Sequence, residues 1–387
     1  MPGRPFLAIP GPTLVPERIV RAMAQPIIDH RGPRFEALVR DCLGGLKRVF
    51  QTEHGHIALF PGSGTGAWEA TIVNTLSPGD RVLAVVNGFF STGFARNAAA
   101  FGVEVERLEV PYGAGVPADQ VEARLRADGA HELRAVLVVH NETSTGVTST
   151  VAAVRAALDR AGHPALLLVD TVSSLASIDF RFDAWGVDVA LTGPQKGLML
   201  PPGLAILAVS ERAVTASEKA RCPRSYWDWQ PVFERNRRGQ FPYTPATMLL
   251  FGLREAIAML EEEGLASVFA RHARLAEACR RAVRAWGLEI LCRDPAEHSS
   301  TLTAVVMPPG HDSDAFIAHA YRRLELSLGV GLGDVKGKVF RIGHLGSLNE
   351  LDLLGSLAGV EMMLREQGVA LRPGSGVGAA GEFLAGA

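Results

Sequence analysis

Residues 165–197 read ALLLVDTVSSLASIDFRFDAWGVDVALTGPQKG. Within this stretch the apolar runs Ala165–Asp170 and Val187–Thr192 are continuous rather than alternating, the pattern of strands covered on both faces. Five similar runs surround them: His56–Phe60, Arg81–Val86, Val103–Glu109, Ala135–His140 and Leu204–Val209. Between several of these lie alanine-rich stretches of helical period, such as Ser149–Arg160, with Ala, Val and Leu on one face. Strand and helix in alternation predict an α/β fold on a doubly wound, mostly parallel, seven-stranded sheet.

From Phe251 the pattern changes. A long helical segment runs through LREAIAMLEEEG and LASVFARHARLAEACRRAVRAWG and stops at Gly287, as a helix C-cap would. Strand-like Leu288–Arg293 and Thr301–Met307, a helix near Asp314–Leu324, a strand Lys338–Ile342 and a helix from Asn349 follow, which predicts a smaller α+β domain. The expected division is an N-terminal arm over residues 1–25, a large domain over 26–262 and a small C-terminal domain over 263–387. The segment Arg221–Gln240 has no clean period and is expected to be a long loop. The tail after Pro373 reads as Gly/Ala-rich low complexity.

With 47% hydrophobic and 21% charged residues, the 387-residue chain has the balance of a globular protein. The formal charge of 39 − 41 = −2 offers no basic surplus for nucleic acid or an anionic membrane. The cysteines, Cys42, Cys222, Cys279 and Cys292, are scattered without a CxxC pair, so neither a disulfide framework nor a zinc site is expected, and no metal at all. The N-terminus is too rich in proline for a signal peptide, and the most apolar runs stop at residues such as Asp170. A cytoplasmic protein is expected.

Three strand ends carry polar groups. Pro61-Gly-Ser-Gly-Thr-Gly-Ala67 follows one strand and opens a helix, where free N–H groups and the helix dipole favour an anion. It also matches the dinucleotide fingerprint, with Asp80 at a comparable distance, but Asp80 sits in a turn before the next strand rather than at a strand's far end. A phosphate site, a dinucleotide site and a bare structural turn are the three readings. Asp170 ends an apolar strand, where an acid either points into the ligand crevice or caps the next helix. Lys196 follows Thr192-Gly-Pro-Gln. A lysine is ordinarily a solvated surface residue, yet only five occur in the chain, and Lys47, Lys219, Lys336 and Lys338 lie in surface-like contexts.

A phosphate cradle, a carboxylate and an amine at neighbouring strand ends suit pyridoxal phosphate. Its phosphate takes a helix N-terminus, its aldehyde a lysine, and its pyridine nitrogen an acid that keeps it protonated.

The motifs HNETSTGV (140–147), LLLVDTVSS (166–174), TGPQKGLMLPPGLA (192–205), FPYTP (241–245) and KVFRIGHLG (338–346) carry a resemblance to a known family. The chain resembles the class V (fold type I) pyridoxal-phosphate-dependent aminotransferases over nearly its whole length, most closely their bacterial serine–glyoxylate branch. The resemblance implies that Lys196 is the Schiff-base lysine and proton shuttle and that Asp170 pairs with the pyridine nitrogen. Val172 would pack under the ring opposite Phe90, and Thr143 would bond the phenolic oxygen. Ser63, Gly64, Thr65 and Gln195 would hold the phosphate. Tyr243 and Thr244 would reach it from a neighbouring subunit, which makes the active form at least a homodimer, with a tetramer open. Arg341 would grip the substrate carboxylate, and His344 beside it is either a pocket residue or a structural one.

The implied activity is transamination of glyoxylate to glycine with L-serine as favoured donor, acting on small amino acids and 2-oxo acids in a ping-pong cycle. Aspartate–glyoxylate and alanine–glyoxylate exchange are the near alternatives. A lyase or racemase on the same scaffold, a cysteine desulfurase using Cys222, a nicotinamide dehydrogenase and a non-catalytic binding module are more distant. Two positions depart from the family pattern: Pro194 stands where serine is usual and removes one N–H, and Thr171 where glycine is usual. The Ser225–Trp229 segment resembles the serine-preferring members.

Overall fold

In the computed structural model, which describes residues 5–386, all seven apolar runs become strands of one sheet. Across the sheet their order is His56–Pro61, Leu204–Val209, Val189–Thr192, Leu166–Asp170, Leu133–Val139, Arg81–Val86 and Glu104–Glu109. Leu204–Val209 runs antiparallel to both neighbours, and the remaining pairs are parallel.

Six of the continuous apolar runs are explained by two cores, one on each face. The seventh, expected over Val103–Glu109 as a doubly covered strand, is the edge strand Glu104–Glu109, which has a neighbour on one side alone and buries only Leu108. Leu167 and Val169 enter the core that holds Phe35, Phe50 and Phe180, while Leu166 and Leu168 enter the one built on Phe60, Trp68 and Phe94. Successive side chains point to opposite faces of a strand, so a strand between two cores cannot alternate with polar residues. Register then aligns the polar strand ends: Val139 lies opposite Asp170, and Asp170 opposite Leu191.

A second, five-stranded sheet forms the smaller C-terminal part, in the order Phe6–Ala8, Leu326–Val330, Val339–Gly343, Leu302–Val306 and Glu289–Ile290. Helices Leu265–Ala285, Ser313–Leu324, Glu350–Glu366 and Ser375–Gly386 supply its core together with Phe316 and Phe340. The long helical segment breaks at Gly264, where φ is +78°, a conformation glycine adopts without penalty.

Four features differ from the sequence expectations. The N-terminal segment contributes the edge strand Phe6–Ala8, parallel to Leu326–Val330. Leu326–Val330 is itself a strand the sequence pattern did not mark. The expected loop Arg221–Gln240 contains the helix Trp229–Asn236, capped by Asp228 accepting from the Gln230 N–H. The low-complexity tail is the helix Ser375–Gly386, whose Gly376, Ala380 and Leu384 are buried. Among the described residues, no helix is long and apolar enough to cross a membrane, and no group of His, Cys, Asp and Glu is arranged to hold a metal.

Candidate active site

Strand ends and the turns that follow them enclose a cavity of about 220 Å³. Ser63, Gly64, Thr65, Phe90, Thr143, Asp170, Val172, Gln195 and Lys196 all line it. These nine residues, picked from five separate sequence stretches, therefore meet at one place.

Ser63 is the N-cap of helix Gly64–Thr75, its hydroxyl accepting from the Gly66 N–H at 3.1 Å. The first N–H groups of any helix lack partners within it, and here Gly64 and Thr65 bring theirs to the cavity wall. Both Gly62 and Gly66 are backed by Trp227: a Cβ at Gly66 would stand 2.8 Å from its Cζ2 and one at Gly62 2.9 Å from its Cη2. The glycines let the loop pack flat on this ring.

Lys196 is the one buried lysine of the five. Its turn is closed by Met199 N–H on the Lys196 carbonyl at 2.9 Å and Leu200 N–H on that of Pro194 at 3.1 Å. The N-terminal segment lies directly over it. Lys196 Nζ donates to the Pro10 carbonyl, Thr13 N–H to the Gln195 carbonyl at 3.1 Å, and a Cβ at Gly11 would come 2.6 Å from Nζ. Burial lowers the Lys196 ammonium to about 8, Arg341 acts in the same direction, and Asp170 opposes them.

Asp170 is buried, and desolvation raises its carboxyl to about 6. Val172 N–H and the Trp68 indole N–H, each at 2.7 Å, pull the other way. Thr143 donates to the Ser173 hydroxyl at 2.7 Å, and Ser173 in turn donates to the Asn141 carbonyl at 2.8 Å. Phe90 sits in the first turn of helix Phe89–Ala100, which is tied down by Glu142. This fully buried carboxylate accepts from the N–H groups of Phe90 at 3.3 Å and Ser91 at 2.9 Å. The Gln195 amide oxygen is buried without a partner among the described residues.

Arg341, on strand Val339–Gly343 of the second sheet, lies behind the cavity wall at Thr143 without lining the cavity itself. Its Nε donates to the Val330 carbonyl and its Nη1 to the Thr143 carbonyl, both at 2.8 Å. Burial lowers it to about 10, with Glu142 opposing. No carboxylate among the described residues pairs with it, so a buried guanidinium next to the cavity keeps capacity for an incoming anion. His344 does not line the cavity, and both its ring nitrogens are engaged, Nδ1 with the Ser300 carbonyl at 3.1 Å and Nε2 with the Thr303 hydroxyl at 3.0 Å.

Tyr243 and Thr244 do not line the cavity of their own chain. Tyr243 stacks on Tyr226 at 4.9 Å with its hydroxyl buried and unpartnered among the described residues, and Thr244 is exposed. Asp80 accepts from the Ser77 N–H at 2.7 Å in its turn and lies in a separate cleft with Arg134, so the glycine loop has no ribose-binding acid. Cys222 is buried with its thiol raised by desolvation, and none of the four cysteines lines the cavity.

Sequence reasoning passed over Trp68, Asn141, Ser173, Gly11 and Pro12, which also line the cavity. Asn141 and Ser173 lie inside motifs already singled out. Trp68 arrives from the second turn of a helix, where a tryptophan reads as core, and Gly11 and Pro12 arrive from the distant N-terminus.

Residues 6–329 match the family model described as aminotransferase class-V. The chain is 51% identical over 388 aligned residues to a serine–glyoxylate aminotransferase of Methylorubrum extorquens, covering 99% of this chain and 96% of that one. It is 49% identical to an L-aspartate–glyoxylate aminotransferase of Paracoccus denitrificans, covering 97% and 94%. The crystal structure of ureidoglycine–glyoxylate aminotransferase from Bacillus subtilis superposes with a TM-score of 0.92 at 26% identity, over 100% of this chain and 99% of that one.

Proposed function

Because the chain belongs to the class V aminotransferases and has their fold type I architecture, we propose that it transfers the amino group of L-serine to glyoxylate, giving hydroxypyruvate and glycine. The observation that carries this reading is the convergence of a helix N-terminus, the Asp170 carboxylate and the Lys196 amine on one cavity, with Arg341 beside it.

This donor set fits pyridoxal phosphate. The N–H groups of Gly64 and Thr65, the hydroxyls of Ser63 and Thr65 and the amide of Gln195 would hold the phosphate. The buried, unpartnered amide oxygen of Gln195 supports that role, since a flipped amide would present its NH₂ instead. Phe90 and Val172 would bracket the ring, Thr143 would bond the phenolic oxygen and Asp170 the ring nitrogen. When bound, the cofactor supplies an aldehyde that condenses with amines and a ring that takes up the electron pair released at the substrate Cα.

The chain's own residues supply the rest. Lys196 would take the proton from the substrate Cα, and burial favours the neutral form that this role needs. Arg341 orients the α-carboxylate of donor and acceptor in turn, one site serving both halves of the cycle. The strap Pro10–Thr13 keeps water from the lysine. Apart from Lys196, no lysine or arginine occurs among the described residues that line the cavity. The 51% identity to a serine–glyoxylate aminotransferase supports serine as the donor.

The proposed active form is at least a homodimer, with Tyr243 and Thr244 serving the partner's phosphate site, and a cytoplasmic location accords with four unpaired cysteines. The experiment is a donor screen against glyoxylate with serine, alanine and aspartate side by side. Serine should give the highest kcat/KM. A preference for aspartate or alanine overturns the choice of donor, and inactivity with all three overturns the reading.

A further inference from the structure

Both carboxylate oxygens of Asp170 are engaged before any ligand arrives. Oδ1 accepts from the Val172 N–H at 2.7 Å, a bond that any residue at 172 except proline would supply. Oδ2 accepts from Trp68 Nε1–H, also at 2.7 Å and from 102 residues earlier in the chain. That second bond depends on the side chain.

Trp68 lies in the second turn of helix Gly64–Thr75, the helix whose first turn forms the anion site. Its ring is 8% exposed, stacks on Phe94 at 5.7 Å with a 16° tilt, and forms part of the cavity wall. The indole is thus locked in place, and an indole N–H can only donate. A group that only donates favours the ionised form of the carboxylate it faces.

We propose that Trp68 is a positioning residue, whose indole N–H holds the Asp170 carboxylate charged and correctly turned toward the pyridine nitrogen. One helix then sets both ends of the cofactor: its first N–H groups set the phosphate, and its second turn sets the partner of the ring nitrogen. The proposal rests on reading the cavity as a pyridoxal phosphate site.

The other influences on Asp170 are few. Burial is the largest and disfavours the charge, as does Glu142, while the Val172 N–H and Lys196 favour it. Without the indole, only those last two oppose burial, and the carboxyl titrates closer to neutrality.

The test uses the full chain, stripped of cofactor and titrated with pyridoxal phosphate at pH values from about 6 to about 8, as wild type and as Trp68→Phe. Losing one hydrogen bond to a charged group moves the Asp170 midpoint by about one unit. The variant should therefore bind about fivefold more weakly near pH 6, with the deficit shrinking toward pH 8. A deficit of equal size at every pH would mean that the ring only packs, and would overturn the inference.

A second measurement does not depend on the variant folding. In the wild-type chain with ¹⁵N-labelled indoles and no cofactor, the Trp68 N–H resonance should shift as Asp170 takes up a proton, and the shift should vanish in Asp170→Asn. An indole spectrum unchanged across that pH range would also overturn the inference. If the wild type binds no pyridoxal phosphate, the reading of the cavity falls and this inference with it. If the wild type binds it but the variant's deficit is flat, the inference alone falls.

Discussion

Arg341 Nη1 donates to the main-chain oxygen of Thr143 at 2.8 Å, joining the smaller sheet to the wall of the cavity across 198 residues of sequence. Its Nε is spent on Val330, another carbonyl, so the guanidinium is aimed by neutral acceptors and keeps its charge for a ligand. Losing a bidentate pair with a substrate carboxylate costs about 2–4 kcal/mol, or roughly 30- to 1000-fold in kcat/KM. Arg341→Ala should show that loss for both glyoxylate and serine, and Arg341→Lys should recover only part of it, since an ammonium lacks the planar fork. Cofactor binding should survive in both variants. A variant that loses the cofactor, or that keeps normal kinetics, refutes the role.

The proposed sharing of the site between subunits gives a complementation test. Lys196→Ala and Tyr243→Ala chains should each be inactive, whereas mixing them should form hybrid dimers with one intact site and measurable activity. Hybrids as inactive as their parents, or a fully active monomer, would refute the contribution of Tyr243 to the partner's site.

Three buried histidines set an acid limit on stability. Burial lowers His140 and His272 to about 4 and His344 to about 3. The unfolded imidazoles take up protons near pH 6.5, which the folded ones refuse, so the unfolded state binds more protons as pH falls. Their contribution is full above about pH 6.5 and is lost as pH drops toward 4. Urea midpoints should accordingly fall between pH 7 and pH 5. His140, packed against Phe180 and Trp185 with Nδ1 unpartnered, offers the control: His140→Phe should flatten part of the fall. A midpoint independent of pH over this range would contradict the argument.

The C-terminal helix hangs on one carboxylate. Glu361 accepts from the Trp286 indole at 2.8 Å and from the Gly376 N–H at 3.0 Å, and also from Gly374. Glu361→Ala strands buried donors that cost about 1–3 kcal/mol each. Melting should drop by several degrees and the tail should become protease-sensitive. An unchanged melting curve would show that the latch is idle.

The parts of this protein that sequence could announce are those where one physical demand dominates. Six of the seven large-sheet strands are buried and read as uninterrupted apolar runs, whereas the edge strand Glu104–Glu109 alternates charged with apolar residues and buries only Leu108. The polar residues that follow the buried strands, Asp170 and Lys196, stand out against that background. Leu326–Val330 was hidden because glycine breaks its short pattern. Helix Trp229–Asn236 was hidden by Pro231, which is tolerated in a first turn but reads as a loop. Helix Ser375–Gly386 was hidden by its glycines, of which Gly376 answers to a neighbour: a Cβ there would enter the Trp286 ring. Within the site, Trp68 and the Pro10–Thr13 strap were illegible for a related reason. Their roles depend on contacts with Asp170 and Lys196 across more than 100 residues, and no local pattern encodes such a distance.

The central claim is that Lys196 carries the cofactor, and reduction with borohydride followed by peptide mapping tests it most directly. The purified protein should be yellow, lose that colour on reduction, and carry the pyridoxyl label on the peptide containing Lys196. Lys196→Ala should remain unlabelled and lose several orders of magnitude in rate. A label on Lys47, Lys219, Lys336 or Lys338, or on no lysine at all, would contradict the account.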